Sequence, residues 1–214
     1  MKLNVIRTAS RNSQIAASEV LFAQSNPVLL AQAVRVYLSN KRQGTSKTQN
    51  RSAVTRTTRK WYRQKGTGNA RHGARDAALF VGGSIAHGPR GVENWKKSLS
   101  TSQKKQALAA ALTAQAEGDN VLINDEILEL KGKTKEAALL LNKIFESFNQ
   151  TKLEDYNRVL IVVKDKKEPM MRAVKNLPQV KILLAANISA LPLAAANKIV
   201  LTSAALEVLE ERVS

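Results

Sequence analysis

Apolar residues along this chain follow two different spacings, which together predict an alternation of helices and strands. Spacing by three and four residues predicts helices that begin at Asn26-Pro27, Ser102, Thr134, Pro169 and Ser203. Continuous apolar runs predict strands at Val121–Ile123, Val159–Val163, Val180–Leu184 and Ile199–Leu201, with Leu3–Ile6 as a candidate edge strand. Helices that alternate with wholly apolar strands are typical of a sheet buried on both faces. The predicted fold class is therefore α/β, with three α/β/α layers and a mostly parallel sheet.

Local signals also predict where several elements end. The first helix has Asn26 as its cap and Pro27 in its first turn, and its apolar face extends to about Asn40. The second helix is predicted over Ser102–Ala116 and the third over Thr134–Phe148. Residues Leu191–Ala196 are too few for a regular pattern, so we predict a short connection there.

Both apolar spacings disappear between the first two helices. Residues 41–91 contain twelve basic residues and one acid, Asp76, so they carry +11 of the total net charge of +17. The same segment contains eight of the ten glycines. Removing residues 42–98 leaves 157 residues, which is enough for a hydrophobic core. We therefore predict one globular domain over residues 1–214, with an extended RNA-binding arm inserted at 42–98.

The chemistry of this arm favours a nucleic acid as its partner. Most of its cations are Arg, whose planar group can hold phosphate oxygens in pairs and stack on bases. Trp61 and Tyr62 stand between Lys60 and Arg63, so a base can stack on a ring beside phosphate-binding cations. No recognition helix is visible, which favours structured RNA over duplex DNA. The candidate RNA-binding residues are Arg42, Lys47, Arg51, Arg56, Arg59, Lys60, Trp61, Tyr62, Arg63, Gln64, Lys65, Gly66, Thr67, Gly68, Arg71, Arg75, Arg90, Lys96, Lys97, Lys104 and Lys105.

Catalysis has much weaker support in this sequence. The chain has no Cys and two His, so a thiolate zinc site and a cysteine nucleophile are excluded. Asn124-Asp125 and Lys164-Asp165 follow predicted strands, where α/β proteins often place a metal ion or a base. Loop aspartates are more often turn-formers than ligands. We expect no catalytic residue, no metal and no cofactor.

Two alternatives to a specific RNA site stay open at this point. A run of like charge can be a solvated, disordered loop that only aids solubility, although Trp61 and Tyr62 are unusual in such loops. The arm would also suit a general RNA-binding or RNA-chaperone protein that acts outside any large assembly and binds many sequences. Preference for one RNA over competitor RNA separates these classes.

Three strings in the arm resemble a known family signature. These are Arg42-Gln43-Gly44-Thr45, the string Arg63-Gln64-Lys65-Gly66-Thr67-Gly68, and Ala70-Arg71. Their order and spacing, and the α/β pattern around them, are similar to those of the large-subunit ribosomal protein four (L-four) family, bacterial type, along essentially the whole chain. Lys60-Trp61-Tyr62 stands where that family usually has Lys-Pro-Trp.

The resemblance implies a structural constituent of the large ribosomal subunit. A protein of this family binds large-subunit ribosomal RNA, and its long loop reaches toward and lines the nascent-peptide exit tunnel. The residues implied at the tunnel tip are Arg63, Lys65, Gly66, Thr67 and Gly68. The implied partners are large-subunit ribosomal RNA, neighbouring ribosomal proteins and, in passing, the nascent peptide. The implied location is the cytoplasm, in the ribosome, with neither a membrane contact nor a homo-oligomer.

Overall fold

The computed structural model describes residues 2–5, 13–16, 21, 26–149 and 152–213. These residues divide into two compact units. The first, which we call the body, comprises Met1–Leu38 and Ser98–Ser214. The second, which we call the arm unit, is Ser39–Lys97 and contains nearly all of the predicted insertion.

The described residues form six strands and six α-helices, mainly where the apolar spacing predicts them. The strands are β1 (Lys2–Val5), β2 (Ser13–Ala16), β3 (Val121–Ile123), β4 (Val159–Val163), β5 (Val180–Leu184) and β6 (Lys198–Leu201). The helices are α1 (Pro27–Lys41), α2 (Thr101–Glu117), α3 (Thr134–Asn149), α4 (Glu168–Lys175), α5 (Ala190–Ala194) and α6 (Ser203–Val213). The α/β fold class is confirmed.

The six strands form one sheet in the order β2-β1-β3-β6-β4-β5. In this order, the pairs β1-β3, β3-β6, β6-β4 and β4-β5 are parallel, whereas β2 and β1 are antiparallel. The prediction of an edge strand near Leu3 was wrong in position, because β1 lies between β2 and β3. Strand β2 occupies the edge instead, and its four residues, SQIA, are too polar and too few to have predicted a strand. Residue 6 of the predicted strand lies outside the described residues.

Successive side chains in the central strands divide the body's core into two clusters. In β4, Leu160 and Val162 belong to one cluster, whereas Val159, Ile161 and Val163 belong to the other. The first cluster includes apolar side chains of α1, α2, α5 and α6. The second includes those of α3 and α4. Because side chains alternate across a strand, this division places helices on both faces of the sheet.

Helices α2 and α5 differ from their sequence predictions. Residues 107–113 of α2 are all buried, although the apolar spacing predicted one buried face. Small alanines allow this, because they let both α5 and α6 pack closely against α2. The predicted connection at Leu191–Ala196 is instead mostly helix α5, a single short turn that inserts Leu193 into the core.

Candidate nucleic-acid interface

The base of the arm unit is held by contacts between its two chain segments. Arg42 lies over the ring of Trp95, with its guanidinium carbon 3.6 Å from the ring centroid. Ser39 donates a hydrogen bond to the Trp95 carbonyl at 2.6 Å. A Cβ at Gly44 would lie 2.4 Å from the Trp95 ring, and Gly44 has φ +69°, so a side chain there would both clash and strain the backbone. Trp95 was missed in the sequence analysis, because nothing local links it to residues some fifty positions earlier.

Asn40 makes a second set of contacts at this base. Its side-chain amide donates to the Lys97 carbonyl at 2.9 Å, and its side-chain oxygen accepts from the Lys97 amide at 2.8 Å. The Lys96 ammonium donates to the Asn40 carbonyl at 2.7 Å. Among the predicted RNA-binding residues, Arg42 and Lys96 therefore have partners within the arm unit that anchor its two ends.

Beyond the base, the outgoing and returning segments pair as antiparallel chains at two separate places. Lys47 pairs with Arg90, and Lys60 pairs with Ala74. The Thr48 amide donates to the Pro89 carbonyl at 2.9 Å, and the Trp61 amide donates to the Gly73 carbonyl at 3.0 Å. Residues in between form turns and irregular structure, as the absent apolar spacing predicts.

Asp76, the one acid of residues 41–91, forms an ion pair inside the arm unit. Arg51 donates from Nε to Asp76 Oδ2 at 2.8 Å and from Nη2 to Oδ1 at 3.3 Å. The Asp76 side chain is 6% exposed. The hydrogen bond from Arg51, with its charge, lowers the pKa of Asp76 and raises the pKa of Arg51. The carboxylate therefore stays ionised and turned inward, while most of the arm's cations remain exposed.

Four aromatic side chains of the arm unit form a cluster. The ring of Trp61 lies 5.6 Å from Tyr62 and 5.0 Å from Phe80, edge to face with the latter. The His72 ring lies 5.1 Å from Phe80 and 6.5 Å from Tyr62. The Arg75 guanidinium carbon is 4.8 Å from the Trp61 centroid. Trp61 and Tyr62 were predicted from the sequence, whereas His72 and Phe80, which join them through the chain reversal, were not.

A concavity of about 650 Å³ opens beside this cluster. Its lining residues are Thr57, Arg59, Lys60, Trp61, Tyr62, Arg63 and Arg75. All of these except Thr57 were predicted to contact RNA. Arg75 lies on the returning segment and the others lie on the outgoing segment, so the chain reversal brings them together. Lys60 donates to Gln64 at 2.6 Å, and the Tyr62 hydroxyl donates to the Ala70 carbonyl.

The predicted tip is a loop whose residues 63–71 are all exposed. Gly66 has φ +83° and Gly68 has φ +67°, values that favour glycine strongly. Apart from the residues next to each glycine, no described heavy atom lies within 4 Å of the place that a Cβ would take there. The loop therefore exposes the cations Arg63, Lys65 and Arg71, and another surface can approach its backbone closely at the two glycines, which have no side chain.

Lys104 and Lys105 lie in the first two turns of α2, in the body. The helix begins with a capping box. The Gln103 backbone amide donates to the Ser100 hydroxyl at 3.3 Å, and the Gln103 side-chain oxygen accepts from the Ser100 backbone amide at 3.1 Å. Both lysines line a second concavity, of about 440 Å³, together with Arg212 of α6. Arg212 donates to the Ala185 and Ile188 carbonyls, and partial burial lowers its pKa. Sequence patterns offered no sign that Arg212 would lie there.

Asn124 and Asp125, which follow β3 and were considered as a metal or catalytic site, make hydrogen bonds that hold the local structure. Asp125 accepts from the Ser203 amide and from the Ser203 hydroxyl, both at 2.7 Å, and so caps the start of α6. Asn124 is buried and accepts from the Ile127 amide at 3.2 Å. Lys164 and Asp165 are exposed in the turn after β4. Asp125 and Asp165 thus both lie in loops that follow strands.

Neither a metal site nor a membrane-spanning helix is found among the residues that the structure describes. Within them, no three His, Asp or Glu side chains are grouped so that they could hold a metal ion. The helices in the described ranges are also too short or too polar to cross a membrane.

Comparison with known proteins gives a consistent result along the chain. The model of the ribosomal protein L4/L1 family matches residues 15–212. The large ribosomal subunit protein uL4 of Agrobacterium fabrum is 36% identical over 214 residues, covering 99% of both chains. That of Pelagibacter ubique is 32% identical over 216 residues, covering all of both chains. That of Symbiobacterium thermophilum is 35% identical over 203 residues, covering 92% of this chain and 91% of the relative.

Proposed function

This chain belongs to the ribosomal protein L4/L1 family, and from that membership we propose that it is a structural protein of the large ribosomal subunit. In this role it binds large-subunit ribosomal RNA through the arm unit and catalyses no reaction. The similar proteins are named as large-subunit proteins, and their similarity to this chain extends over nearly its full length.

The observation that carries the proposal is the charge arrangement of the arm unit. Residues 41–91 present twelve cations, and the one carboxylate among them is paired internally with Arg51. Two paired segments of this charge suit a site where RNA phosphates converge, because each contact releases counterions that were condensed on the RNA. Its cations offset phosphate repulsion, and its glycines allow the backbone to approach RNA closely.

We further propose that the tip loop reaches the nascent-peptide exit tunnel. Support comes from the sequence string Arg63-Gln64-Lys65-Gly66-Thr67-Gly68, which resembles the family's signature, and from the complete exposure of residues 63–71. Arg63, Lys65 and Thr67 would then contribute side chains to the tunnel wall. Contacts with neighbouring ribosomal proteins and transient contact with the nascent peptide follow from that position.

RNA competition tests the main proposal. Full-length protein is mixed with labelled large-subunit ribosomal RNA, and unlabelled small-subunit RNA is added as competitor. We expect the complex to survive an excess of competitor, because a fitted RNA cavity offers contacts that charge alone does not. Equal displacement by both RNAs would instead favour a general RNA-binding or chaperone protein that acts outside the ribosome.

The tunnel placement needs a separate test in assembled subunits. Thr67 is exposed, so a photo-crosslinking amino acid at that position should leave the fold intact. We expect crosslinks to a stalled nascent chain and to tunnel RNA, and none from the same group at exposed Leu139 of α3. Crosslinks from residue 67 to solvent-side proteins alone would overturn the tunnel placement.

A further inference from the structure

We infer that the concavity beside Trp61 binds one unpaired nucleobase of RNA, with the flanking phosphates held by Arg59, Lys60 and Arg63. The inference rests on the proposed function, since it names what one part of the arm unit recognises in RNA. Three features carry it: an exposed ring, a cationic rim, and a framework that holds both in place.

The ring is the first feature. Trp61 is 48% exposed, which is unusual for an indole that also contacts two other aromatic rings. The remaining exposed part of its surface faces a concavity of about 650 Å³, a size within the range of small-molecule sites. Tyr62 is less available, because it is partly buried and its hydroxyl is bound to the Ala70 carbonyl. Trp61 is therefore the ring on which a base can stack.

The rim supplies charge of one sign. Arg59, Lys60, Arg63 and Arg75 line the concavity, and no carboxylate is among its described lining residues. Arg75 also covers part of the Trp61 ring, so a guanidinium plane and an indole plane are available together. Bases stack on both kinds of plane, and adjacent cations can take the phosphates on either side of an extruded nucleotide.

The framework is formed by pairing between the two segments. The Lys60 bridge to Ala74 and the hydrogen bond from the Trp61 amide to the Gly73 carbonyl hold the backbone that carries the ring. Phe80 packs edge to face against Trp61 from the returning segment. The ring is thus fixed before RNA arrives, which reduces the ordering cost of binding. A base in a paired helix is stacked on its neighbours and cannot enter, so the site selects an unpaired base.

Three RNA hairpins that differ at one position test this inference. The first has a single bulged adenosine, the second has an abasic nucleotide at the same bulge, and the third is fully paired. Wild-type full-length protein should bind the adenosine bulge about 5- to 150-fold more tightly than the abasic bulge, the range expected for stacking one base on an aromatic ring. The abasic and paired hairpins should bind alike, through charge.

Variants then assign the preference to Trp61. Trp61→Ala should abolish the discrimination between adenosine and abasic bulges while leaving affinity for the paired hairpin within about twofold, and Trp61→Phe should retain part of it. Val81→Ala, at a 94% exposed position in the same unit, is the matched control and should behave as wild type. Trp61→Phe keeps an aromatic ring in the unit, so partial discrimination in that variant separates loss of stacking from loss of the fold.

The outcomes distinguish the nucleobase site from RNA binding by the arm unit as a whole. Tight binding of all three hairpins with equal affinity would overturn the nucleobase site and leave RNA binding by the arm intact. Discrimination that survives in Trp61→Ala would likewise exclude this concavity. Failure to bind any hairpin, together with failure to bind large-subunit RNA, would refute the proposed function itself.

Discussion

Neutralising one cationic stretch of the arm unit should change the salt dependence of RNA binding by a predictable amount. The perturbation is the fourfold variant Arg56→Ala, Arg59→Ala, Lys60→Ala and Arg63→Ala. All four side chains are exposed, and their hydrogen bonds within the chain, from Lys60 to Gln64 and from Arg56 to the Arg75 carbonyl, are exposed as well. Removing them therefore leaves no buried group without a partner, and the fold should persist.

The expected magnitude follows from counterion release. Each phosphate contact contributes about 0.7 to 0.9 to the slope of log affinity against log salt concentration. If all four side chains contact phosphates, the slope should become shallower by about 3 to 4. Fluorescence anisotropy with a labelled large-subunit RNA fragment, repeated from low to high potassium chloride concentration, measures the slope directly.

A matched variant controls for the change in total charge. Lys135→Ala, Lys143→Ala, Lys166→Ala and Lys167→Ala remove the same charge from exposed positions of the body. That variant should keep the wild-type slope to within about 1, since long-range charge is largely screened at moderate salt. Equal changes in the two variants, or an unchanged slope in the arm variant, would refute the assignment of RNA contacts to these four residues.

Three further predictions concern stability. Replacing residues 50–90 with a short glycine-serine linker should preserve cooperative thermal unfolding of the body, because the contacts of Arg42 with Trp95 and of Asn40 with Lys97 lie outside the replaced residues and hold the two ends together; loss of the cooperative transition would contradict this. Ile161→Ala, at a fully buried position of β4, should lower the free energy of unfolding by about 2 to 5 kcal/mol in urea, whereas Leu139→Ala, at a half-exposed position of α3, should cost less than about 1 kcal/mol. Since the folded pKa of Asp76 is lowered, the contribution of its pair with Arg51 is present above the unfolded value of about 4 and is lost as pH falls through the folded value. Carboxyl chemical shifts should show Asp76 titrating below an unfolded aspartate; titration at or above that value would argue against the pair.

Local patterns were informative about the helices and the central strands. The cap at Asn26 is confirmed by the hydrogen bond from the Leu29 amide to its side chain at 3.0 Å. The strands Val121–Ile123, Val159–Val163 and Val180–Leu184 have the predicted bounds. These predictions succeeded because capping and burial on both faces of a sheet leave a signature within a few residues.

Predictions failed or stayed silent where the deciding contact spans a long stretch of chain. Strand β1 was expected at an edge, and its internal place depends on β2, whose composition gives little strand signal. The ion pair of Arg51 with Asp76 joins residues 25 positions apart, and the residues around Arg51 gave no sign of it. The RNA contacts of the individual arm residues stay predictions.

By itself, the sequence determined the alternation of helix and strand, the separation of a basic stretch from an apolar framework, and the family signature at residues 42–71. Tertiary structure alone decided the order of strands, the inward turn of Asp76, and the meeting of Trp61 with Phe80 and Arg75 from the returning segment. The physical reason is that spacing and propensity act over one or two turns of chain. A concave site instead requires residues that chain reversal brings within a few ångströms, and no local pattern records that.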